Sequence, residues 1–374
     1  MKTLTIISHT EHYLRADGTI VGLGSTVTEI NELLAVFDRI IHVAMLHTSV
    51  APPSAIPYVS ERIAFVSLPA VGGTGWQAKL GIVFHIPTIL FRVRAALNQS
   101  DYFQFRAPTG IGVFTIPYLV WFTSKSGWFK YAGNWKQPHP PLAYRFQKWL
   151  LEKQSRPVTI NGFWDDQPSH CLSFENPCLT AQNILDGQAT IRQKVLQYPI
   201  DFCFVGRLEG AKGLDFLLEA LAQMDRTLLP RIGTIHIVGT GALQAYYESE
   251  ASALAMPVIF HGYLSRDAVH AIYKRCHGII LPSASEGFPK VIAEAMNFGC
   301  VPIVSNVSSI SHYVHHGVNG FLMETLDVPS LIACLAQFLS LKPEAYTGLK
   351  AHSLADMNRF SYSFYNQRLL ESVL

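Results

Sequence analysis

Glu286 and Glu294 bracket the segment Gly287-Phe288-Pro289-Lys290-Val291-Ile292-Ala293. A strand is expected to end at Leu281-Pro282, with a run of small residues after it. Pro289 is placed to open a helix, and Gly299 to close that helix in the left-handed conformation. Glu286 then lies in a loop at the carboxyl edge of a parallel sheet, and Glu294 about a turn and a half into the helix. Open α/β sheets bind ligands at that edge. The helix start adds unbonded N–H groups and a positive dipole end, which suit phosphate or sugar oxygens.

A second segment, Gly206-Arg207-Leu208-Glu209-Gly210-Ala211-Lys212-Gly213, sets two cations on a loop after an apolar strand. Arginine offers forked donors and lysine a point charge, a combination able to neutralise a diphosphate. A third, His236-Ile237-Val238-Gly239-Thr240-Gly241, runs a strand into a G-x-G turn. Such glycines fit a structural turn as well as a ligand contact. The fourth, Phe260-His261-Gly262-Tyr263-Leu264, ends a strand where main-chain groups of Tyr263 and Leu264 could meet a base edge. His261, His312, His315 and His316 lack metal-ligand spacing, so no metal site is expected.

The elements that must hold these segments alternate. Strands are predicted over Leu4–Ser8, Ile40–Leu46, Ile63–Leu68, Asp101–Phe105 and Val158–Asn161, then Phe202–Val205, Thr234–Val238, Val258–Phe260, Gly278–Leu281 and Val301–Val304. Helical spacing marks Thr28–Phe37, Trp76–Leu97, with Pro87 expected to kink or break it, and Leu214–Gln223. This βαβα order predicts parallel sheets covered on both faces. At 374 residues the chain has room for two such domains. The limits are set at 1–177 and 178–355, with 356–374 a terminal helix packing back on the first domain. Pro168, Pro177 and the polar run Thr180–Gln188 mark the break between them.

Residues 1–160 carry 15 Lys and Arg against 8 Asp and Glu, and the remainder 14 against 19, so the two halves suit different partners. The six cysteines all follow residue 170 without C-x-x-C spacing and read as buried free thiols of a reducing compartment. Met1–Ser8 lacks an apolar signal core and a cleavage site, so a cytoplasmic chain is expected. The uncharged stretch Ala107–Ser124 reaches spanning length, yet its glycines, prolines and threonines predict two short buried strands joined by a turn.

Together the glutamate pair and the G-R-L…K-G loop resemble the retaining nucleotide-sugar glycosyltransferases of family 4, over Phe202 to Met323. The resemblance implies the GT-B fold, an α/β architecture of two Rossmann-like doubly wound domains facing across a cleft. It implies that Glu286 contacts donor-sugar hydroxyls, helped by backbone groups around Gly287, Phe288 and Pro289, and that Glu294 hydrogen-bonds the ribose. Gly206, Arg207 and Lys212 would hold the diphosphate, with Gly239, Gly241, Tyr263 and Leu264 completing the donor site. No cofactor or metal is implied. The family's first-domain glycine-rich loop is sought in Gly22-Leu23-Gly24, and an acceptor-side residue in Arg106, which also suits a structural role. Retention follows if leaving and attack occur on one sugar face.

The expected partners are a nucleotide-sugar donor and a glycan or lipid-linked acceptor, and no nucleic acid. Trp121, Lys125, Trp128, Lys130, Trp135, Lys136, Lys148 and Trp149 suggest peripheral contact with anionic lipids at the inner face of the cytoplasmic membrane; burial of these aromatics in the first domain is the alternative. Two other functions compete. A catalytically inert nucleotide-sugar-binding subunit would keep the same donor residues. A nicotinamide dehydrogenase would need a glycine where Val27 stands.

Overall fold

The computed structural model describes residues 1–72 and 76–374, with side chains described outside residues 73–80. The chain divides into two compact units, Met1–Glu175 with Tyr362–Leu374, and Asn176–Ser361. These limits differ by a few residues from those set by the sequence: Met357 and Phe360 are buried in the second unit's core, so that unit extends beyond residue 355.

In the first unit, β1 (Thr3–Leu14), β2 (Ile20–Leu23), α1 (Gly24–Glu32), β3 (Arg39–His47), β4 (Ala55–Pro57), β5 (Ile63–Pro69) and α2 (Trp76–Leu97) come first. Then follow β6 (Tyr102–Ala107), α3 (Gly112–Trp121), β7 (Ser126–Tyr131), α4 (Leu142–Lys153), β8 (Val158–Ile160) and β9 (Cys171–Ser173). Parallel pairing runs β5-β3-β1-β6-β7-β8-β9, and β2 and β4 extend the far half of β1 in antiparallel fashion. Strand alternation sends Leu4 and Ile6 to one apolar cluster and Ile7 to the other.

The second unit holds α5 (Ala181–Gln193), β10 (Ile200–Val205), α6 (Leu214–Gln223), β11 (Ile232–Val238), α7 (Gln244–Ala251), β12 (Val258–Phe260) and α8 (Arg266–Arg275). It continues with β13 (Gly278–Leu281), α9 (Lys290–Asn297), β14 (Val301–Ser305), β15 (Phe321–Met323), α10 (Val328–Leu339) and α11 (Pro343–Asp356). The last helix, α12 (Tyr362–Ser372), returns to the first unit, where Tyr365 and Leu369 pack with Leu4, Ile30 and Phe37. The second sheet is wholly parallel in the order β12-β11-β10-β13-β14-β15. Strand order therefore reverses between β10 and β13, and a crevice opens at their carboxyl ends.

One expectation fails for an identifiable reason, and two other segments gain detail. The uncharged stretch after β6 is one helix, α3, whose buried residues Gly112, Thr115, Ile116 and Leu119 follow helical spacing; a short apolar run does not by itself separate strand from helix. α2 runs unbroken through Pro87, which is exposed, so water can meet the carbonyl that the proline leaves unbonded. The polar run after Thr180 is α5, started by a capping box in which Thr180 and Asn183 bond each other's backbone N–H. All six cysteines are buried and free. Among the described residues no helix is long and apolar enough to cross a membrane.

A buried polar chain joins β1 to β3. His12 Nδ1 donates to the Thr10 carbonyl at 3.0 Å. A carbonyl only accepts, so Nε2 of His12 must accept from the Tyr58 hydroxyl at 2.9 Å. Tyr58 in turn accepts from His42 Nδ1 at 2.6 Å, and His42 Nε2 accepts from Ser8 Oγ at 2.8 Å. Both rings are thus neutral with every site used. Burial lowers the His12 pKa to about 4 and holds His42 well below its ordinary range. Their folded pKa values lie below the unfolded one, so their stabilisation is full above about pH 6.5 and declines as pH falls, that of His12 being lost through about 4. We expect the melting temperature to drop across that window, with His12 alone contributing about 3 kcal/mol. A flat profile from pH 7 to pH 4 in thermal melts would contradict the assignment.

Candidate active site

Both key loops of the second unit leave the sheet at the strand-order reversal. β10 runs into Gly206-Arg207-Leu208, and β13 into Pro282-Ser283-Ala284-Ser285-Glu286. The two are fastened by the Ala284 N–H, which donates to the Ala211 carbonyl at 2.9 Å. Gly213 has a positive φ of 74°. A Cβ there would stand 2.0 Å from the Pro282 carbonyl oxygen. On the other flank, Gly206 donates to Val238 and Leu208 to Thr240, each at 3.0 Å. A Cβ on Gly239 would meet the Gly206 oxygen at 1.9 Å, and one on Gly241 the Leu208 oxygen at 2.2 Å. Gly239 and Gly241 therefore have a packing role whatever they bind. Gly206 has ordinary space around its own Cβ position.

This fastening brings Lys212 and Glu286 together, with Nζ and Oε1 at 2.5 Å. The lysine carries three donors, so it can hold Glu286 and still donate to an anion. Arg207 is 71% exposed and pairs with Glu209 at 3.0 Å, a surface contact of little energetic weight. Phe288 is buried, stacked with Phe360 and tilted against Tyr313. Its ring is thus part of the core, and the Gly287 carbonyl accepts from Ser309 Oγ at 2.9 Å. The N–H groups of Gly287 and Phe288 have no hydrogen-bond partner among the described residues. Pro289 stands at the N-cap of α9, one residue before the helix it was expected to open. Gly299 closes that helix with φ 76°.

Glu294 lies in α9, 3.6 Å from Arg266. Burial raises its pKa against the opposing pull of Arg266 and Lys290. Leu264 packs near Val205 and Val291, while Tyr263 remains 43% exposed. Gly262, at φ 63°, accepts from the Gly239 N–H at 2.8 Å and joins this strand end to the G-x-G turn.

Gly22 ends no loop but lies in β2, where a Cβ would meet His12 Nε2 at 2.3 Å. Gly24 is the first residue of α1, its Cβ position 2.7 Å from the Ser54 carbonyl. Arg106, near the end of β6, pairs with buried Glu29 at 3.0 Å, and Lys130 pairs with the same oxygen. Of the residues that suggested a lipid-facing surface, Trp128, Lys130 and Trp135 are buried, and Lys136 pairs with Asp166. Trp121 and Trp149 remain exposed, as does Phe122 beside Trp121. The Ser8–His42–Tyr58–His12 chain carries no sequence signal, because only the pairing of β1 with β3 assembles it. Among the described residues no group of three or more His, Cys, Asp or Glu could hold a metal ion.

Two Rossmann-like parallel sheets in one chain, the second in the order 3-2-1-4-5-6, define the GT-B class of α/β protein. Residues 188–352 match the family model described as glycosyl transferases group 1. The chain is similar to the HepE protein of Anabaena solved with UDP-glucose, at 16% identity and a TM-score of 0.70 over 100% of this chain and 99% of that one. An uncharacterized glycosyltransferase of Methanocaldococcus jannaschii is 33% identical over 119 residues, 31% of this chain and 30% of that protein. A glycogen synthase of Thermodesulfovibrio yellowstonii is 26% identical over 182 residues, 47% of this chain and 35% of the synthase. The chain thus spans only about a third of the length of these curated relatives.

Proposed function

We propose that this protein is a retaining, metal-independent glycosyltransferase. It moves a sugar from a nucleoside-diphosphate-sugar to a hydroxyl of a glycan or lipid-linked saccharide in bacterial surface polysaccharide synthesis. The observation that carries the reading is the Lys212–Glu286 pair at the strand-order reversal, beside the unbonded amides of Gly287 and Phe288. The match to glycosyl transferases group 1 spans these residues, and the UDP-glucose named for HepE supports the donor class. Lys212 and Arg207 hold the diphosphate and stabilise the charge that develops as it leaves. Glu286 and the α9 amides orient the sugar, and Glu294 bonds the ribose.

A release assay with a panel of nucleotide sugars tests the activity, and no turnover with any donor would leave only the inert binding subunit. The two acids are separable by calorimetry with nucleoside diphosphate alone. Glu294→Ala should weaken that binding by about 1.5–3 kcal/mol, the range for a hydrogen bond to a charged group. Glu286→Gln should leave it nearly unchanged. Equal losses would show that one acid is misplaced.

The work site is the cytoplasmic side of an anionic membrane, met through exposed Trp121 and Phe122 with half-buried Lys125 beside them. Sedimentation with anionic vesicles should decline as salt rises and fall further in Trp121→Ala/Lys125→Glu. A protein that stays in the supernatant at low salt refutes this contact.

A further inference from the structure

A pocket of about 290 Å³ lies wholly within the first unit, between the segment after β7 and helix α4. It is close to the lower end of the roughly 300–1,000 Å³ usual for ligand clefts. Its walls are aromatic and amphipathic: Tyr131, Trp135, Tyr144 and Trp149, with Gln137 and Arg145 between them. Tyr131 and Trp135 pack edge to face at 4.9 Å and are buried, which fixes the floor. Trp149 is 51% exposed and Tyr144 half-buried, so ring surface stays open at the rim.

The polar groups are the second observation. Tyr131 is 3% exposed, lines the pocket, and its hydroxyl has no hydrogen-bond partner among the described residues. The Gln137 amide and the Arg145 guanidinium likewise have none. Polar groups that line a cleft without a protein partner are left to water or to a ligand. Lys148 is already engaged, 3.6 Å from Glu152 and 5.0 Å from the centre of the Trp135 ring. Arg145 is then the one uncommitted charge among the lining residues. A polyphosphate would require several cations.

We propose that this pocket binds a pyranose unit of an oligosaccharide. A pyranose presents a face of C–H groups that lies favourably on the negative face of an aromatic ring. Its rim of hydroxyls both donates and accepts, matching the Tyr131, Gln137 and Arg145 set. That the saccharide belongs to the acceptor glycan rests on the function proposed above; the binding itself needs no transfer.

The test is the full-length chain applied, without nucleotide sugar, to an array of neutral and uronate-containing pyranose oligosaccharides. At least one should be retained, and its affinity should fall about tenfold or more in Trp149→Ala and in Tyr144→Ala. Trp149→Phe, which keeps a ring face, should retain most of it. Both side chains are partly exposed, so the variants can be checked for unchanged melting and unchanged binding of nucleoside diphosphate. That second measurement separates failure of this site from failure of the transfer reading. An array with no retained glycan, or a glycan bound equally by Trp149→Ala and Tyr144→Ala, overturns the proposal.

Discussion

Lys212→Ala and Glu286→Gln should each reduce sugar transfer by roughly 10²–10³-fold, the usual loss when one group that stabilises developing charge is removed. The two changes should not add. Lys212 and Glu286 share one contact at 2.5 Å, and neighbours in direct contact show interaction energies of about 0.5–3 kcal/mol in double-mutant cycles. The double variant is therefore expected to transfer sugar little more slowly than the worse single one. A purely structural pair behaves differently. Lys212→Ala would leave a mostly buried carboxylate without its cation and lower the melting temperature, with activity falling only as far as the folded fraction does. Steady-state kinetics and thermal melts on the same three variants distinguish these outcomes. Independent, fully additive losses would mean that the hold of Lys212 on the diphosphate does not depend on its contact with Glu286.

Most of the second unit is legible in the sequence because its signals are local. Leu214–Gln223, Val258–Phe260 and Gly278–Leu281 are read at their observed limits, since turn glycines and prolines punctuate each apolar run. The placement of Glu286 in a loop and Glu294 on a helix also follows from local residues, Pro289 and Gly299. What the sequence does not carry is strand order. Only the pairing of β10 with both β11 and β13 sets the G-R-L loop beside the glutamate loop. The first unit is less legible for the same reason. Its antiparallel strands β2 and β4 are three or four residues long, too short for a period to register. The aromatic-basic run from Trp121 to Trp149 mixes core rings with exposed ones, and side-chain type alone does not sort Trp128 from Trp149.

Gly239→Ala is expected to be the most damaging single methyl addition in the second unit. Gly239 sits at φ 129°, a conformation that costs a side-chain-bearing residue about 1–3 kcal/mol. Its Cβ would also stand 1.9 Å from the Gly206 carbonyl oxygen, a backbone atom that cannot rotate away. Forced overpacking adds about 1–3 kcal/mol. The sum is a large part of the roughly 5–15 kcal/mol that holds a domain folded. Relief requires the G-x-G turn to move off the G-R-L loop, so nucleoside diphosphate binding should fail together with stability. Three other glycines make the comparison quantitative. Gly213→Ala meets both a positive φ of 74° and the Pro282 oxygen at 2.0 Å, and should resemble Gly239→Ala. Gly262→Ala has a φ of 63° but its nearest atom is 3.9 Å away, so only the backbone cost of about 1–2 kcal/mol applies. Gly210 has nothing within 4 Å of its Cβ position, and Gly210→Ala should be close to neutral. Urea denaturation of the four variants should rank them in that order. If Gly239→Ala unfolds at the same urea concentration as Gly210→Ala, the loops are not fastened as described, and Lys212 and Glu286 lose the scaffold that holds them together.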